Sequence, residues 1–190
     1  MPRQKKKPVV GLDLDGVVLD HTDNKLLLCE KFGVKISRVE TASDIVRTKF
    51  DPATYDKFQS ILYDAPEYVS AVTLVPGARE GLDFLRIMGV TYFIISRRKT
   101  DKTALAALKL HALWPRYFNE QNVFFVQTKA AKDPKAAELN ITHYIDDQPS
   151  VLAHINSVPN KFLLDPLRAY NKKEGDYITI HSWRQFLNRL

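Results

Sequence analysis

Six short apolar runs punctuate the chain: Val9–Leu14, Val90–Ser96, Val123–Gln127, Thr142–Ile145, Phe162–Leu164 and Tyr177–Ile180. Each is short and ends in turn-forming or polar residues, which predicts a buried strand. Between them, apolar positions recur at helical spacing over Ala78–Met88, Lys102–Leu113, Pro134–Leu139, Pro149–Ile155 and Trp183–Leu190. In the first of these, Leu82, Leu85 and Met88 share one face. Apolar strands alternating with helices predict an α/β fold: a doubly wound parallel sheet covered by helices on both faces. The alternation breaks between Asn24 and Val75, where the pattern is helical, lacks a convincing strand and is interrupted at Asp51-Pro52 and Ala65-Pro66. This stretch, 24–75, reads as a small helical insertion. Residues 9–23 and 76–190 then form the core domain, with 1–8 as a basic tail.

Composition adds little to this picture but removes several classes. A chain of 190 residues with 45% apolar content can bury one substantial core and carry one modest insertion. Its apolar runs fall far short of the roughly 20 residues that a bilayer helix needs, so no membrane span is expected. The start, Met1–Pro8, is basic and is not followed by an apolar signal region, which predicts a cytoplasmic protein. The single cysteine, Cys29, excludes an intramolecular disulfide and a thiolate zinc cluster and reads as a core residue. The net charge of +6 owes much to Arg3, Lys5, Lys6 and Lys7, which read as a solvated tail, with nucleic-acid contact as the alternative. Charge therefore leaves both a small anionic substrate and a nucleic acid open.

In a doubly wound sheet, ligands sit at the carboxyl ends of the strands. Four ends carry suitable groups: Asp13-Leu14-Asp15-Gly16 after the first run, Ser96-Arg97-Arg98 after the second, Lys129 and Lys132 after the third, and Asp146-Asp147 after the fourth. Phosphoryl transfer requires an in-line nucleophile, a proton donor for the leaving oxygen, and positive charge around the phosphoryl group. One carboxylate of Asp13 and Asp15 can attack while the other handles the proton. Mg²⁺ lets a carboxylate approach a phosphate dianion, and Asp146 and Asp147 offer hard oxygen ligands. Ser96 and a lysine can hold the non-reacting oxygens. His111, His143, His154 and His181 lack metal-ligand spacing, and His21 reads as a loop residue near the first carboxylates.

Gly11-Leu12-Asp13-Leu14-Asp15-Gly16-Val17-Val18 resembles the first motif of the haloacid dehalogenase (HAD) superfamily, Ile94-Ile95-Ser96 the second, and Tyr144-Ile145-Asp146-Asp147 the fourth. The resemblance implies a HAD-like Rossmannoid core and a Mg²⁺-dependent phosphatase acting on a small phosphorylated substrate. It implies that Asp13 is the nucleophile that becomes an aspartyl-phosphate, and that Asp15 is the general acid/base whose backbone carbonyl also binds metal. Asp146 and Asp147 resemble the acidic pair completing the metal site, and Ser96 the phosphate-binding hydroxyl. For the third-motif lysine, Lys132 is favoured over Lys129 and Lys135, because Asp133-Pro134 reads as a helix N-cap followed by proline.

Tyr63-Asp64-Ala65-Pro66-Glu67-Tyr68-Val69, with Leu74-Val75-Pro76-Gly77-Ala78 and the late Ser182-Trp183, is similar to the cap end of 5′(3′)-deoxyribonucleotidases. That likeness implies nucleoside monophosphates as substrates. Ser96-Arg97-Arg98 departs from their pattern; Arg97 reads as a contact to the substrate phosphate or sugar, with a surface ion pair as the alternative. Tyr63 and Tyr68 read as cap core or as a stacking surface for a base. Sugar phosphates or nucleic-acid ends are alternative substrates. A phosphate-binding protein without turnover is a further reading, which the intact Asp13 and Asp15 count against.

Overall fold

Strand residues alternate between two packed layers because successive side chains point to opposite faces. In the computed structural model, which describes residues 7–98, 101–170 and 175–190, Ile94, Ile145, Phe162 and Leu164 join one core cluster. Their neighbours Ile95, Tyr144 and Leu163 join another on the opposite face. The basic start, Met1–Lys6, lies outside the described residues.

The elements follow in chain order. They are β1 (Val9–Leu12), β2 (Leu19–Asp20), α1 (Thr22–Lys31), α2 (Ser43–Val46), α3 (Pro52–Asp64), α4 (Pro66–Ala71), β3 (Thr73–Leu74), α5 (Ala78–Ile87) and β4 (Thr91–Ser96). Then come α6 (Lys102–Leu110), β5 (Val123–Phe125), α7 (Lys132–Glu138), β6 (His143–Asp146), α8 (Pro149–Leu152), β7 (Asn160–Leu164), β8 (Ile178–Ile180) and α9 (Trp183–Leu187). The six long-range strands form one parallel sheet in the order β5-β4-β1-β6-β7-β8. This is the expected α/β architecture, with β1 flanked by β4 and β6, so the order reverses beside β1 and opens a crevice at its carboxyl end.

The register of β1 is tight on one side. Gly11 lies opposite Tyr144, and a Cβ there would come within 2.5 Å of the Tyr144 ring, so only glycine lets that ring cover the strand. Several sequence boundaries shift. The expected helix Lys102–Leu113 ends at Leu110 because Ala112 takes a positive φ of 52°. The stretch expected to lack a strand contains Thr73–Leu74, which pairs antiparallel with Leu19–Asp20. The first helix also begins before Asn24, at Thr22. Between these paired strands, α1 to α4 pack around Leu28, Cys29, Val46, Phe58, Leu62 and Tyr68, a third apolar cluster. Tyr68 thus serves this core, and Cys29 packs there as a free thiol. No helix among the described residues is long and apolar enough to cross a membrane.

Candidate active site

The chain leaves β1 at Asp13, whose backbone N–H still bonds to the carbonyl of Ile145, so the nucleophile candidate is fixed by one further rung of the ladder. Two residues later Gly16 turns the chain with φ +87°. A Cβ at Gly16 would stand 2.4 Å from the carboxyl carbon of Asp147, so the turn admits Asp147 only because that atom is absent. The indole N–H of Trp183, at the start of α9, donates to the carbonyl of Val17 at 2.8 Å and ties this turn to the end of the chain. Ser182 caps that helix through Gln185 N–H.

Lys132 stands at the first residue of α7 and is fully buried. Its ammonium donates to Asp13 Oδ1 and to Asp146 Oδ2, both at 2.8 Å. Lys129 instead meets Asp44 and Ser150, and Lys135 meets Glu138, so the structure brings only Lys132 of the three into contact with Asp13. Asp133 does not cap α7: its carboxylate accepts from Asn156 N–H, Ser157 N–H and the Ser157 hydroxyl, because three donors from the loop after α8 outcompete a local cap. Ala131 occupies the N-cap position.

Asp13, Asp146 and Asp147 each present a carboxylate oxygen within 4.8 Å of the others. Burial pushes all three carboxyl groups up from their ordinary range, and their mutual repulsion adds to this. Lys132 opposes the rise at Asp13 and Asp146, and its own ammonium is held charged by the two carboxylates. One ammonium among three carboxylates leaves an excess of negative charge. The oxygen donors, their spacing and the buried, unpartnered Oδ1 of Asp147 suit a hard divalent cation. The other oxygen of Asp147 accepts from Ser43, whose hydroxyl also accepts from the buried Lys25 ammonium.

Asp15 lines the same cleft but has other partners. Arg98 donates to both of its oxygens, through Nε at 2.8 Å and through the terminal nitrogen, and His21 Nε2 lies 2.8 Å from Oδ1. Against the cost of burial, Arg98 and then His21 hold its carboxyl well below the usual range. His21 is the loop residue expected, just before α1, and it is buried, which lowers its pKa against the pull of Asp15. It sits edge-on to Tyr63, 5.2 Å between ring centroids, while the Arg98 guanidinium lies 4.9 Å over the same ring. Arg98, and not the Arg97 expected at the site, contacts Asp15. The available signal was position alone: Arg98 is the second residue beyond a strand adjacent to β1.

Ser96 ends β4 almost fully buried, with its hydroxyl unpartnered. It lines, with Asp13, Asp15, Tyr55, Tyr63, Arg97 and Lys132, a cleft of 370 Å³. Side chains from the ends of β1 and β4 and from the first turn of α7 thus converge on one cleft.

The sheet order and this strand-end cluster define a HAD-type hydrolase. Residues 7–189 match the family described as 5′ nucleotidase, deoxy (pyrimidine), cytosolic type C (NT5C) proteins, and the chain belongs to that family. It is a HAD-family phosphatase. Solved structures share its fold. A HAD family hydrolase from Deinococcus radiodurans R1 superposes with a TM-score of 0.57 at 18% identity, over 92% of each chain. A HAD-superfamily hydrolase from Geobacter sulfurreducens PCA gives 0.59 at 17%, over 96% of each. A haloacid dehalogenase-like protein from Agrobacterium tumefaciens gives 0.63 at 14%, over 96% of this chain and 97% of its own. A search of curated protein sequences gives no match.

Proposed function

We propose that the protein hydrolyses phosphomonoesters through an aspartyl-phosphate on Asp13, with nucleoside monophosphates as its substrates. The observation that carries this reading is the meeting of Asp13, Ser96 and Lys132 in one cleft. Asp13 is the nucleophile: its carboxylate oxygen forms a bond to phosphorus as the bond to the leaving oxygen breaks. The Ser96 hydroxyl and Lys132 ammonium hold the transferring oxygens, and Arg97 meets the substrate at the cleft wall. Asp15 gives the leaving oxygen its proton, then takes one from the water that hydrolyses the aspartyl-phosphate. In the arrangement observed, Arg98 and His21 hold Asp15 in its ionised form, the form needed for the second step. Proton donation in the first step requires Asp15 to loosen from Arg98.

Asp13, Asp146, Asp147 and the backbone carbonyl of Asp15 would hold Mg²⁺. When bound, Mg²⁺ neutralises the acidic cluster and the phosphoryl oxygens. Support comes from the acidic triad and from the Deinococcus relative, whose structure holds phosphate and sodium. The family description supports both the nucleotide substrate and a cytoplasmic location.

The test is phosphate release from nucleoside monophosphates, sugar phosphates and phosphorylated oligonucleotides, with Mg²⁺ and with excess chelator. Metal-dependent release led by nucleoside monophosphates is expected. Release led by another class would overturn the substrate assignment, and full turnover in chelator would overturn the metal.

A further inference from the structure

A second compartment adjoins the reaction cleft. It is an open groove lined by Asp44, Arg47, Asp56 and Lys129 together with Ser43, Tyr55, Gln59, Arg97 and Gln148. The last five residues also line the cleft that holds Asp13 and Ser96, so the two spaces are continuous, with Arg97 on the shared wall. Among the described residues, neither the Arg47 nor the Arg97 guanidinium has a hydrogen-bond or ion-pair partner. Asp44, the nearer carboxylate to the core, is already engaged by Ser150 N–H, the Ser150 hydroxyl and Lys129. Two free guanidiniums therefore face one uncommitted carboxylate, that of the exposed Asp56. A guanidinium presents a planar fork of donors that fits phosphate oxygens in pairs.

In-line attack by Asp13 requires the ester oxygen on the side of the phosphorus away from β1, and Tyr55, Gln59 and Tyr63 of α3 line the same cleft. A neutral leaving group there would leave Arg47 and Arg97 with only the Asp56 carboxylate between them. We propose that this outer compartment binds a second phosphate carried by the leaving group, making a nucleoside bisphosphate a better substrate than the matching monophosphate. The proposal rests on the reaction site assigned above. The second phosphate stays esterified throughout; only the group facing Asp13 is transferred.

The experiment compares initial phosphate release from a deoxynucleoside 3′,5′-bisphosphate and from the 5′-monophosphate of the same base, with Mg²⁺, in the native protein and in Arg47→Gln and Arg47→Lys. Arg47 is exposed, so both variants keep the fold, which thermal unfolding checks. The native ratio of kcat/KM, bisphosphate over monophosphate, should be about tenfold or more at low salt, as expected for one guanidinium–phosphate contact. It should fall toward unity in Arg47→Gln, fall less in Arg47→Lys, and shrink as salt rises. Hydrolysis of both compounds at equal kcat/KM, or a ratio unmoved by Arg47→Gln, overturns the outer subsite alone. Hydrolysis of neither compound overturns the nucleotide-substrate reading as well.

Discussion

Arg98 and Asp15 form the most completely engaged ion pair at the site: the guanidinium contacts both carboxylate oxygens, and the arginine side chain is only 3% exposed. Removing one partner of such a pair strands a buried charge, which costs about 3–5 kcal/mol. Arg98→Ala should therefore lower thermal stability by that order. Arg98 holds the carboxyl of Asp15 low, so its loss lets that pKa rise; with hydrolysis of the aspartyl-phosphate limiting, the step that needs Asp15 ionised, the acidic limb of the pH–rate profile should move to higher pH. Calorimetry and the pH profile of kcat check the two halves separately.

Asp13→Asn should cut turnover by at least about a thousandfold while the protein stays folded, because an amide keeps the shape but is a poor nucleophile. Circular dichroism with phosphate-release rates tests this; a folded variant with near-native rates would remove the covalent route.

Added Mg²⁺ should raise the melting temperature by a few degrees at pH 7.5, as a ligand bound only to the folded state does. The increment should be smaller at pH 5.5. The sign follows from the carboxyl groups of Asp13, Asp146 and Asp147, whose pKa values are raised: as pH falls they take up protons, and a cation must then displace those protons to bind. Thermal shift at both pH values, with and without metal, decides it.

Gly16→Ala should lose both stability and activity. The left-handed conformation alone costs a residue with a Cβ roughly 1–2 kcal/mol, and the added carbon would overlap the Asp147 carboxyl. Melting temperature and apparent Mg²⁺ affinity are the readouts, and an unchanged metal affinity would separate the turn from the acidic cluster.

Tyr63 and Tyr68 should behave differently. Tyr68→Ala empties a buried place in the helical insertion and should cost about 3 kcal/mol. Tyr63 lines the cleft beside Arg98, so Tyr63→Ala should reorder substrates by relative kcat/KM more than it changes hydrolysis of a small aryl phosphate. Equal loss on every substrate would deny the Tyr63 ring a part in selectivity.

The sheet was legible in the sequence because each strand is a contiguous apolar run and each run ends in its own polar group, as Val9–Leu12 does in Asp13. What escaped was information held in pairs. Leu19–Asp20 and Thr73–Leu74 are strands only through each other, and two residues carry no period to read. The contact of Arg98 with Asp15 spans 83 positions and depends on the register of β4 against β1. His21 is close to Asp15 in sequence, yet its burial comes from the packing around it. Asp133-Pro134 carried a genuine local signal that a distant loop overrode.

β1 lies in the middle of the sheet, with neighbours β4 and β6 that begin much later in the chain, at Thr91 and His143. A growing chain thus carries Asp13 long before it has Ser96, Lys132 or the Asp146-Asp147 pair, and the turn after Asp13 waits for Trp183 to anchor it. Such distant pairings make folding slow and leave apolar edges uncovered meanwhile. A chain truncated before Trp183 would keep Asp13, Asp15, Asp146 and Asp147 and lose the hydrogen bond that ties the turn after Asp13.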